Sequence, residues 1–210
     1  MIRPSPLLAA LISPLLPLLL LLTSPAAASA QITGSGVRAG LNVATLDTSD
    51  ETGSAPVESQ LRSVVAGYLT CRMLSWLELQ PEVAYTLKGG KTDDALSTKA
   101  LLDYIELPLL GRVSTGQAGS RRFYGAAGAA VAVLLRARTR ANFGDATEEI
   151  DIRDDVESLD WGMVVAGGLE LRSLVFDARY THGLRDVDRD RTDSTQVYNR
   201  VLSFTAGIRF

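Results

Sequence analysis

The chain of 210 residues has one cysteine, Cys71, and one histidine, His182. A lone cysteine excludes an internal disulfide, so stability must come from another source. His182 is the only imidazole available as a general base, and it follows Phe176, Ala178 and Tyr180 on an apolar face. It reads as a residue at the level of lipid headgroups, and without a nucleophile and an orienting group beside it no catalytic residue is assigned. The formal net charge is −3 and no basic patch with interleaved aromatics appears, which argues against nucleic acid as a partner. After residue 30 no continuous apolar run is long enough for a membrane-spanning helix. If the chain enters a membrane, it does so as strands.

The opening stretch MIRPSPLLAALISPLLPLLLLLTSPAAASA has Arg3, an apolar run from Leu7 to Leu22, and Ala28-Ser29-Ala30. This is the pattern of a secretory signal peptide over residues 1–30, cleaved after Ala30. Pro14 and Pro17 interrupt the run, which disfavours an anchoring helix. Loss of Arg3 leaves 20 basic and 24 acidic residues, a net charge of −4, on one domain over 31–210.

What that domain does have is alternation. In SWLELQPEVAYTLKGGK, residues 75–91, Leu77, Leu79, Pro81, Val83, Tyr85 and Leu87 share one face, and Glu78, Gln80, Glu82, Ala84 and Thr86 the other. A period of two means a strand. Seven further segments repeat the pattern: GVRAGLNVATL, LRSVVAGYLTC, LDYIELPLLGRV, FYGAAGAAVAVLLRAR, LDWGMVVAGGLEL, LVFDARYTHGL and NRVLSFTAGIRF. From the second segment on, the connections alternate short and long, as in outer-membrane barrels with short periplasmic turns and long outer loops. A soluble up-and-down barrel of the lipocalin kind also alternates, with its apolar face turned inward.

The polar face separates the two. It carries Arg38, Glu78, Glu82, Glu106, Arg112, Arg136, Glu170, Asp177, Arg179 and Arg209. Charges of both signs, mostly Arg rather than Lys, suit bidentate pairing inside a narrow lumen, so these ten are expected to form an internal network. Small residues in GAAGAAVA and VVAGG leave room there for long side chains. Trp76, Tyr85, Tyr104, Phe123, Tyr124, Trp161, Tyr180 and Phe210 lie near segment ends, as interfacial girdles do. Pro81 and Pro108 remove ladder donors, which predicts a bulge or local distortion at Gln80–Pro81 and at Leu107–Pro108. Leu202, Phe204, Ala206, Ile208 and Phe210 alternate to the end of the chain, and Phe204, Ile208 and Phe210 resemble the C-terminal assembly signal read by the barrel-insertion machinery.

GVRAGLN, LELQPEVAYTLKGGK, YIELPLL, FDARYTHGL and AGIRF together resemble the PorT-like family of small outer-membrane barrels, over nearly all of residues 36–210. The resemblance implies an outer-membrane location, and for some relatives an association with protein secretion. The expected fold is an all-β, eight-stranded antiparallel up-and-down transmembrane β-barrel. The expected role is non-enzymatic, structural or interactive, as an accessory of a secretion or envelope-assembly system. A narrow channel for ions or small solutes and a lipid-modifying enzyme are the alternatives. Expected partners are outer-membrane lipid, lipopolysaccharide, the insertion machinery and envelope or secretion proteins. No cofactor or metal site is expected: Asp186, Asp188 and Asp190 echo a calcium loop, but Arg191 and Val197 stand where Gly and Glu are needed.

Overall fold

A computed structural model of the chain describes residues 31–49, 57–92, 98–116, 121–143, 146–153, 156–185 and 196–210. Residues 1–30, expected from the sequence to be a signal peptide, and the loop with Asp186, Asp188 and Asp190 lie outside these residues. The described chain forms β1 (Gln31–Ser49), β2 (Val57–Glu58), β3 (Gln60–Arg72), β4 (Glu78–Lys88), β5 (Lys91–Thr92), β6 (Thr98–Ser114), β7 (Arg121–Phe143), β8 (Ala146–Asp151), β9 (Leu159–Leu171), β10 (Leu174–Gly183) and β11 (Gln196–Arg209). Every alternating segment of the sequence is one of the longer strands.

Eight of them, β1, β3, β4, β6, β7, β9, β10 and β11, pair antiparallel with their neighbours in the chain, and β11 returns to pair with β1. The sheet is therefore a closed up-and-down barrel, which leaves no edge along the wall. The turns at 73–77 and 172–173 lie at the same end as Gln31 and Phe210, since Gln31 stands opposite Arg72 and the Phe210 amide donates to the Ser35 carbonyl at 2.8 Å. By the rule of short periplasmic turns, this end faces the periplasm.

Burial follows the pleat. In β4 the inward residues Glu78, Gln80, Glu82, Ala84, Thr86 and Lys88 are buried, while Val83 and Tyr85 on the other side are 56% and 41% exposed. Val37, Leu41, Val65, Phe123, Val165, Phe176 and Phe204 continue this exposed apolar surface around the wall. Such a belt in water would be far larger than the few hundred Å² a soluble monomer leaves open. Its partner is the hydrocarbon of a bilayer, and the lipocalin-like orientation is excluded.

The distortion expected at the prolines is present as an interrupted ladder rather than a bulge, and a further expectation, on two tyrosines, needs correction. The ladder at Pro81 runs from Tyr68↔Glu82 to Cys71↔Leu79, and at Pro108 from Ala84↔Glu106 to Pro81↔Leu109. Each skips two partner pairs but neither shifts register, so the prolines interrupt the ladder without a bulge. The bulge lies elsewhere: pairing passes from Asp103↔Arg136 to Tyr104↔Leu134, with Leu135 as the extra residue in β7. Tyr104 and Tyr124, read as girdle residues, are buried inside at 0% and 6% exposure.

The small inward residues make room for these rings. A Cβ on Gly168 would stand 2.3 Å from Cζ of Tyr124, whose hydroxyl donates to Asp177 at 2.7 Å. Gly168→Val is expected to displace the ring and destabilise the barrel by roughly 1–3 kcal/mol. Urea unfolding of the folded protein in vesicles reads this as an earlier midpoint.

Above the membrane wall, β6 and β7 continue past their neighbours. β4 stops pairing with β6 at Lys88↔Leu102 and β9 stops pairing with β7 at Val133↔Leu159, yet β6 and β7 pair on to Thr98↔Ala141. β5 then takes over beside β6, β2 beside β5, and β8 beside β7. The result is a projecting five-stranded sheet, ordered β2-β5-β6-β7-β8.

Candidate functional site

Nine of the ten network residues read from the sequence are inward and buried: Arg38, Glu78, Glu82, Glu106, Arg112, Glu170, Asp177, Arg179 and Arg209. Arg136 is not among them, because the extra residue Leu135 turns it to the exposed outer face. Lys88, Arg122 and Asp160 complete the interior and were missed by the sequence reading. All three continue the inward parity of their strands, which is the signal that finds them. They were passed over because charges beside a turn look like loop residues.

These groups form three clusters from the periplasmic end outward. In the first, Glu170 accepts from Arg112, Arg122 and Arg209, the last at 3.0 Å. Arg112 also donates to Gln80 at 3.0 Å and lies 3.9 Å over the Tyr124 ring. Glu78 accepts from the Thr33 hydroxyl at 3.0 Å and stands 3.8 Å from the Arg112 Nε. In the second, Glu82 takes Arg38 at 3.1 Å and Arg179 at 2.9 Å, and Arg179 turns its Nε to Asp177 at 3.0 Å. In the third, Lys88 lies 2.8 Å from Glu106 and 3.5 Å from Asp160, with the Tyr104 ring centroid 5.0 Å from its Nζ.

Among the described residues the charges of the interior are balanced in total. Arg38, Lys88, Arg112, Arg122, Arg179 and Arg209 face Glu78, Glu82, Glu106, Asp160, Glu170 and Asp177. A lone buried ion would cost several kcal/mol, whereas pairing with extra hydrogen bonds offsets most of that. Between the second and third clusters a cavity of about 20 Å³ is lined by Thr86, Thr181, Ser203 and Thr205 among others. That is space on the scale of a single water. Eight strands give a lumen that side chains fill, and here they do so with ion pairs.

Outside the lumen, the remaining candidates are separate. His182 lies on the outer face between Met163 and Arg200, with the Tyr180 hydroxyl 3.5 Å from its Nδ1. Among the described residues no three His, Cys, Asp or Glu side chains gather as metal ligands. Phe204, Ile208 and Phe210 point outward at the end of β11, 54%, 47% and 74% exposed. On the projecting sheet Glu149 accepts from Arg140 at 3.0 Å and from Arg138. Those guanidinium hydrogen bonds hold its carboxyl below the usual range, so the contact persists above the ordinary glutamate pKa and is lost as pH falls through the lowered one.

A match to a protein-family model agrees with this architecture. The family model described as outer membrane protein beta-barrel domain matches residues 30–189. Among solved structures, the chain is similar to Neisserial surface protein A (17% identity, 86% of this chain and 99% of that one, TM-score 0.45). It is also similar to OprG from Pseudomonas aeruginosa (15% identity, 84% and 95%, TM-score 0.48). A third is the outer membrane enzyme PagL (13% identity, 81% and 97%, TM-score 0.42). No curated protein matches the chain. With the closed wall, the outward apolar belt and a family model spanning most of its length, the chain belongs to the outer-membrane β-barrel domain family.

Proposed function

We propose that the protein is a non-enzymatic barrel whose task is carried by the sheet projecting from the membrane, as an interaction partner in a secretion or envelope-assembly system. The observation that carries this reading is the contrast between the two ends of the wall. The lumen is filled by three ion-pair clusters whose described charges balance in total, while β6 and β7 support a sheet that ends at β2 on one side and β8 on the other. A terminal strand offers unpaired backbone groups to an extended segment of a partner. Ile150 of β8 is 51% exposed and gives that edge an apolar contact. The PorT-like resemblance of the strand segments supports the secretion form of the role. Phe204, Ile208 and Phe210 fit a strand recognised during insertion.

A photo-cross-linker at Ile150 in intact cells is expected to give a discrete protein adduct that the same group at Trp76, at the periplasmic end, does not give. Identical adducts from both positions, or none, would contradict the proposal. The channel alternative predicts steps of conductance in planar bilayers, where the filled lumen predicts a closed baseline. The enzymatic alternative has His182 as its only imidazole. An activity on outer-membrane lipid that His182→Ala abolishes would favour it.

A further inference from the structure

One inserted residue decides which side chains of β7 meet the membrane surface. Up to Leu134 the even-numbered positions point inward, as Ala126, Ala130, Ala132 and Leu134 are all buried. Without the bulge, Arg136, Arg138 and Arg140 would continue that row into the lumen. With Leu135 as the extra residue, Ala137 is the next inward side chain, at 0% exposure, and the three arginines move to the outer face. Bulges beside functional sites re-aim side chains in this way.

The position of the three is chemical as well as geometric. Leu135 and Tyr85, 40% and 41% exposed, are at the upper border of the apolar belt. Arg136 is exposed directly above Leu135, while Arg138 and Arg140 follow with side chains 38% and 45% exposed. Lys99 of β6 stands opposite Arg140 on the same face. Hydrocarbon gives way to headgroups along this line, and phosphate is the headgroup anion that the planar arginine fork matches best.

The neighbouring carboxylates do not cancel the charge. Glu149 is shared between Arg138 and Arg140. Asp103, opposite Arg136, is buried, accepts from the Tyr85 hydroxyl at 3.1 Å and lies 3.8 Å from Arg62. Asp151, opposite Arg138, accepts the Arg153 amide at 2.9 Å, and the Arg153 guanidinium donates to the Leu135 carbonyl. Arg136 and Lys99 make no ion pair with any described residue. Among the described residues, a chain with a net negative charge thus shows a local excess of cations at the membrane surface.

We propose that Arg136, Arg138 and Arg140 of β7, with Lys99 of β6, form a binding site for the phosphate groups of an outer-leaflet lipid. The bulge at Leu135 is what assembles it. The site rests on the orientation of the barrel and not on the interaction role argued above, so either can fail without the other.

The test uses the folded full-length protein in phosphatidylcholine nanodiscs, titrated with lipid A bearing its phosphates or with dephosphorylated lipid A, and read by native mass spectrometry. The wild type is expected to retain the phosphorylated form preferentially. Arg136→Gln with Arg140→Gln should weaken that retention by roughly tenfold or more, and Arg136→Lys with Arg140→Lys should keep most of it. Heat-modifiable migration on gels reports that each variant is folded. Equal retention of both lipid forms, or undiminished retention by the glutamine variant, would overturn the site. Inorganic phosphate that removes the lipid at equimolar concentration would overturn the lipid as the source of the phosphate.

Discussion

Replacing Glu82 by alanine destabilises the barrel by about 3–5 kcal/mol, the cost of leaving buried cations without their counter-ion. Glu82 binds both Arg38 and Arg179, and all three are at most 6% exposed. Removing the carboxylate leaves Arg38 with no other acidic partner among the described residues, while Arg179 still has Asp177 at 3.0 Å. The contrast lies in a double variant, Arg38→Met with Glu82→Leu. It removes a matched pair and keeps the Arg179–Asp177 pair, so its stability is expected close to wild type. Apolar replacement of a whole buried pair is often neutral or stabilising. Urea unfolding in vesicles, followed by tryptophan fluorescence, separates the two. A double variant as unstable as Glu82→Ala would mean that charge balance is not what holds the interior.

The second large effect is on the opposite face. Val165 is 60% exposed near the middle of β9 and pairs with Ala127 and Tyr180 on the adjoining strands. Val165→Arg places a cation in the hydrocarbon and is expected to cost roughly 2–4 kcal/mol. The same substitution on a water-facing wall would cost close to nothing, since exposed substitutions usually stay within about 0.5 kcal/mol. Val164, one residue earlier, is fully buried and faces the lumen. Neighbouring positions on one strand therefore answer to different rules.

How much of this was legible beforehand follows from which features depend on local alternation. The wall strands and the facing of Glu78, Glu82, Arg112, Glu170 and Arg179 come directly from a period of two, because each strand needs only its own pleat to define inside and outside. Arg136 shows where that logic ends. A bulge leaves no composition signal in LLRARTR, and a single inserted residue reverses every assignment beyond it. Tyr104 and Tyr124 show a second limit. Aromatics near strand ends look like girdle residues, but these two fill the lumen beside Lys88 and Arg112, over whose cations their faces lie.

The prolines were read for their lost donor, which was sound, but the wall accommodates Pro81 and Pro108 by skipping ladder pairs rather than inserting residues. β2, β5 and β8 were invisible for a different reason. They are short strands held by pairing with the extended β6 and β7, and nothing in their own patterning sets them apart from polar loops. The projecting sheet is therefore a property of the assembled wall.

The most direct test of the central claim, that the apolar belt faces lipid around a charged interior, is a nitroxide spin label at position 165 in a Cys71→Ser background. Collision with oxygen and with a water-soluble nickel complex is measured in reconstituted vesicles. The account predicts high oxygen accessibility and exclusion of the nickel complex, as for a side chain in hydrocarbon. Free access of the nickel complex to position 165 would place that face in water and contradict it.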